Sequence, residues 1–160
     1  MKKLIYLCSF LTAIGINKSL FAQQKDAFRD FKLSFMKEVN YPRSLRDSCI
    51  TTATIIRITK INAQLSITLS DSATQPFKEE FNKVVGRLNT NSLRRVLDSS
   101  KATHSIIIPL YFTFDTDYCA SSVNIAAYAS TFNRFNGEYE TGECNLLEPI
   151  IVRLSKPIIN

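Results

Sequence analysis

A chain of 160 residues, 45% of them hydrophobic, with four glycines and no tryptophan, has the length of one domain with appendages and an ordinary globular composition. It holds no low-complexity segment and no internal repeat. The formal charge of +6 does not imply a nucleic-acid or membrane-surface role, which needs a concentrated basic stripe. The densest set, Arg87, Arg94, Arg95 and Lys101, reads as a solvated helix face.

The N-terminus has three parts. Lys2 and Lys3 form a basic start, Leu4 to Ile16 is an uncharged, mostly apolar run, and Ala22 precedes a polar segment. This is the pattern of a secretory signal peptide over residues 1–22, cleaved after Ala22. The run is short against the roughly 20 apolar residues of a membrane-crossing helix. An uncleaved N-terminal anchor is the alternative, because Asn17 and Lys18 interrupt the approach to the cleavage site. Cys8 lacks the small residues that precede a lipid-acylated cysteine. Loss of Lys2, Lys3 and Lys18 lowers the formal charge from +6 to +3. The expected location is periplasmic or secreted, or tethered to the inner membrane if the segment stays.

Lys25 to Val39 reads as an amphipathic helix. Phe28, Phe31, Phe35 and Val39 recur at offsets of three and four, on one face. Pro42 follows the helix, since the residue before a proline is pushed out of the α region, and Tyr41 can fold back onto the core. Ile50 to Ile61 is rich in isoleucine and threonine and reads as a strand, with Ile50, Ile56 and Ile58 on one face and Ile55 and Ile61 on the other. After "KINAQ", Leu65, Ile67 and Leu69 alternate with polar residues. The two runs suit an antiparallel hairpin.

"DSATQPFKEEFNKVVGRL" reads as a helix. Ser72 and Thr74 are candidate caps, Pro76 suits the first turn, and Phe77, Phe81, Val84 and Leu88 form its buried stripe. Ser92 to Asp98 can continue as a short helix. In "HSIIIPLYFTFD", Ile106, Ile108, Leu110, Phe112 and Phe114 point one way, and Ile107, Pro109 and Tyr111 the other. Pro109 cannot donate to a ladder, so this strand is expected at a sheet edge, or with that position facing outward. "NGEYETGEC" reads as a turn-rich loop, and "EPIIVRLSKP" as one more strand, carrying Ile150, Val152 and Leu154 on a face.

The order helix, strand, strand, helix, strand predicts an α+β domain of two layers: an antiparallel sheet of three to four strands with helices on one face. It occupies residues 23–116. Residues 117–160 form a C-terminal extension expected to lie along the sheet edge as an added strand. In an exported chain, Cys49, Cys119 and Cys144 can form one disulfide and leave one thiol over. Cys119–Cys144 is the expected pair because both lie in the C-terminal segment; three reduced thiols are the alternative.

From Tyr41 to Phe114 the chain resembles the TonB C-terminal domain and its short relatives in exported bacterial proteins. The motifs are a Tyr-Pro pair before a short helix ("YPRSLRDS", Tyr41 and Pro42), two strands ("TATIIRIT" and "QLSITLS"), a helix with an aromatic near its start ("FKEEFNKVV", Phe77) and a strand with Pro then aromatics ("IIPLYFTF", Phe112). The turn "KINAQ" lacks the glycine usual there, and "SLRRVLDSSKATH" lacks the usual tryptophan. The resemblance implies binding of an outer-membrane or other envelope protein, whose short peptide adds to the edge of the sheet. The contact residues would be Ile107, Pro109 and Tyr111. Force transmission is not expected, because the family's long linker is missing.

No catalytic activity, cofactor, metal or small-molecule substrate is expected. His104 is the sole histidine. Asp115 with Asp117 reads as a loop pair of solvated acids rather than paired carboxylates or a cation site, and Glu138, Glu140 and Glu143 cluster in a loop without the Gly and Asn or Asp steps of a hard-cation site. No nucleophile motif, phosphate loop or zinc-ligand spacing is present. A small hydrolase or metal-binding protein is the weaker alternative. A structural or assembly subunit with a covered sheet edge is the other. The sequence does not set the oligomeric state.

Overall fold

The computed structural model describes residues 25–61, 64–99, 105–114 and 131–154. The signal-peptide segment, Cys8, His104, Asp115, Asp117 and Cys119 lie outside the described residues. Among those described, no helix is long and apolar enough to cross a membrane.

The fold is α+β. Helix α1 covers residues 25–38. There follow α2 (Arg43–Asp47), β1 (Thr52–Ile61), β2 (Gln64–Leu69), α3 (Gln75–Val84), a 3-10 turn (Val85–Arg87), α4 (Asn91–Ser99) and β3 (Ser105–Phe114). The remainder is β4 (Arg134–Phe135), β5 (Glu138–Tyr139), β6 (Cys144–Leu146) and β7 (Ile150–Leu154). Among the described residues the main sheet has five strands in the order β2, β1, β3, with β6 and β7 end to end along the far side of β3. It is mixed rather than purely antiparallel, because β6 and β7 both run parallel to β3.

One face carries the core. Phe28, Phe31 and Phe35 of α1 and Phe77, Phe81 and Val84 of α3 are buried with Ile56, Ile58, Ile106, Ile108, Leu110 and Phe112 of the sheet. The helical period of three and four and the strand period of two therefore meet at one interface. The Tyr-Pro segment closes it. Tyr41 stacks on Phe112 (centroids 4.6 Å, planes 26° apart) and lies 6.1 Å from Phe77, which meets Phe112 edge-on at 5.0 Å. Pro42 is the N-cap of α2. Ile50 does not share the face of Ile56 and Ile58. It precedes the strand and is exposed, and its carbonyl accepts the Tyr41 hydroxyl.

Thr74 is the N-cap residue of α3, but its hydroxyl makes no capping bond. The Ser72 hydroxyl is engaged by that of Ser70 instead, at 2.8 Å. The "NG" of the expected loop is the turn of a β4–β5 hairpin. Asn136 (φ 54°) and Gly137 (φ 86°) are both left-handed, as a two-residue hairpin turn requires. The hairpin lies on the second sheet face, where Phe135 is buried with Ile55 and Ile107.

Candidate functional site

The expected binding edge was the free side of β3. That expectation is corrected: β3 is an interior strand. From Thr52↔Phe112 to Thr59↔Ser105 it pairs with β1. On the other side β6 pairs with Ser105–Ile107, and β7 with Leu110–Phe114. Pro109 is accommodated for a specific reason. Ser70 N–H donates to the Ile55 carbonyl at 2.8 Å, and the Ile55 N–H donates to Ser70 Oγ at 3.0 Å, so the peptide groups of Ile55 face β2. Pro109 is paired with Ile55. By antiparallel alternation its nitrogen therefore faces away from β1. It meets the break between β6 and β7, where no donor is needed.

Ile107, Pro109 and Tyr111 do share one face, but that face is partly roofed. Ile107 is buried under Phe135, and Tyr111 stacks with Phe132 at 6.4 Å. Two carboxylates, Glu140 and Asp71, help hold the roof. Arg57 donates from Nη1 to Glu140 Oε2 at 2.9 Å and lies 4.2 Å above the Phe135 ring. Asp71 accepts from Arg134 Nε at 2.9 Å and from the N–H groups of Asn136 (3.0 Å) and Gly137 (2.9 Å). Partial burial pushes the Asp71 carboxyl up. The Gly137 N–H, the Arg134 guanidinium, the Asn136 N–H and the charge of Lys78 outweigh it and hold the carboxyl below its ordinary 3.8.

The unpaired edge is at the other end of the sheet. Among the described residues β2 has a partner on one side only, β1. Alternation from the Ile55–Ser70 pair directs the peptide groups of Gln64, Ser66 and Thr68 to β1, and those of Leu65, Ile67 and Leu69 outward. The side chains of these last three pack on the core as half-buried residues. Sequence reading missed this edge because Pro109, which has no donor, marked β3 as the outer strand instead. Which strand ends up outermost depends on a parallel pairing far along the chain.

The cysteines also differ from expectation. Cys144 is an exposed free thiol, and Cys49 is the disulfide-bonded residue. Cys144 therefore takes no part in the expected Cys119–Cys144 bond; Cys119 lies outside the described residues.

Of the expected basic helix face, Arg87 pairs with Glu38 at 3.1 Å and Arg95 donates to Ser92 at 3.5 Å; Lys101 lies outside the described residues. Arg95 and Ser92 line a polar cleft of about 380 Å³ with Asp26, Ala27 and Asp30. Asp30 there accepts from the Ser92 hydroxyl at 3.2 Å. No group of three potential metal ligands occurs among the described residues. Comparison of the chain with protein-family models, with curated proteins and with solved structures gave no match.

Proposed function

We propose that this chain is a non-catalytic, exported cell-envelope protein that binds a protein or peptide partner by strand addition, as the TonB C-terminal-like domains it resembles do. The receiving edge is β2. The observation that carries this reading is the outward row of peptide groups at Leu65, Ile67 and Leu69. Exposed edges are normally guarded by lysine, proline, a bulge or a covering segment, and Gln64–Leu69 contains no proline and no charge. β3, to which the resemblance points, already has both of its partners.

Export is supported by the three-part N-terminal pattern and by the disulfide at Cys49, a bond that persists in oxidising compartments. The non-catalytic reading is supported by the engagement of the acids nearest the sheet. Glu140 is tied to Arg57, and Asp71 holds the hairpin. A second reading, a structural or assembly subunit, is favoured by the sealing of β3 by β6 and β7.

A photo-reactive residue at Ser66, beside the open edge, tests the proposal in intact cells against the same residue at Lys83 on α3. Crosslinked protein is expected from position 66 and not from position 83. Equal labelling from both positions, or none from Ser66, overturns it.

A further inference from the structure

We infer that the strand received by β2 is the β2 of a second copy of this chain, giving a two-fold dimer with one continuous sheet. The inference rests on the strand-addition reading and names its partner. A two-fold axis brings each residue close to it within a few ångströms of its own counterpart, so any charge there repels its copy. Gln64–Leu69 carries none, whereas the opposite margin of the sheet carries Arg153 in β7 and is flanked by Glu143 and Glu148.

The segment is also self-complementary. With Ile67 on the axis, Leu65 of one copy lies opposite Leu69 of the other, and Ser66 opposite Thr68. The outward peptide groups of Leu65, Ile67 and Leu69 then meet the same three residues, which closes both edges at once. Apolar pairs fall on the helix-covered face and hydroxyl pairs on the other, and both are favourable cross-strand combinations. Side chains of Leu65, Ile67 and Leu69, half-buried in the single chain, gain cover from their counterparts.

Sedimentation velocity of the purified protein across a concentration series reads the association. The expected result is a reversible dimer, weakened roughly tenfold or more by Ser66→Lys, which brings lysines together near the axis. Leu33→Lys, on the exposed side of α1, leaves it unchanged. Amide exchange gives a readout independent of any variant: the Ile67 N–H becomes more protected as concentration rises. A protein that stays monomeric, a dimer that survives Ser66→Lys, or a dimer dissolved by Leu33→Lys overturns the inference. If the protein is monomeric while Ser66 still crosslinks to a different envelope protein, self-pairing falls and strand addition stands. If Ser66 crosslinks to nothing, both fall.

Discussion

Tyr41 and Phe112 are 71 positions apart in the chain and stacked in the core, with centroids 4.6 Å apart. The Tyr41 hydroxyl also donates to the Ile50 carbonyl and contacts Thr52 Oγ1 at 2.8 Å. One side chain thus joins the end of α1 to β1, β3 and α3. Tyr41→Phe keeps the ring and loses the hydrogen bonds, and is expected to cost about 1 kcal/mol. Tyr41→Ala loses the packing as well and is expected to cost about 3–5 kcal/mol. Urea denaturation of the two variants beside the parent measures both. Equal costs would show that the hydroxyl, not the ring, is the anchor.

The seal on β3 depends on Ile150, which is fully buried. Ile150→Ala is expected to destabilise by about 2–4 kcal/mol. Deleting residues 148–160 removes β7 and bares the edge at Leu110–Phe114, so the truncated protein is expected to self-associate and lose solubility. Light scattering checks this. A truncated protein as soluble and stable as the parent would show that β7 covers nothing of consequence.

Asp71 makes the hairpin sensitive to acid. Its carboxyl titrates below the ordinary 3.8 in the folded state, so the unfolded state binds the proton more readily. The contribution is then complete above about pH 4 and is lost as pH falls through the lowered folded value. Amide exchange at Gly137 is expected to accelerate over that acid range, after correction for the intrinsic rate. Asp71→Asn is expected to remove the dependence and to loosen the hairpin by about 1–2 kcal/mol at neutral pH. An Asn variant with unchanged protection at pH 7 would contradict the clamp.

The two described cysteines are expected to react oppositely. Without reductant, iodoacetamide labels the exposed Cys144 and spares Cys49. Cys49→Ser is expected to lower stability by about 2–4 kcal/mol, and Cys144→Ser to leave it unchanged. Peptide mapping by mass spectrometry and thermal melts provide the readout. Labelling of Cys49 before reduction would refute the assignment.

Much of this architecture was legible residue by residue. The stripes Phe28, Phe31, Phe35 and Phe77, Phe81, Val84 are local patterns, and each element forms where its period places it. Burial of Ile56 and Ile58 follows from the same logic. What escaped was long-range. Pro109 suggested an edge because a proline has no donor, yet the same fact is satisfied by a break between two short parallel strands. The Cys49 bond and the Asp71 clamp involve partners far away in sequence, with no periodic signal. "NG" at Asn136 and Gly137 was the one local sign of the hairpin, and its flanks are too short to show alternation.

The parallel seal has a consequence in time. β1 and β2 are neighbours in sequence and can pair early, but β3 waits for β7, the last strand described. Throughout synthesis an apolar strand stands with one flank bare until the seal is made. Such intermediates are prone to aggregate. The vulnerable period for this protein therefore belongs to its manufacture more than to its finished form. It would be shortened by anything that shields β3 until Ile150 arrives.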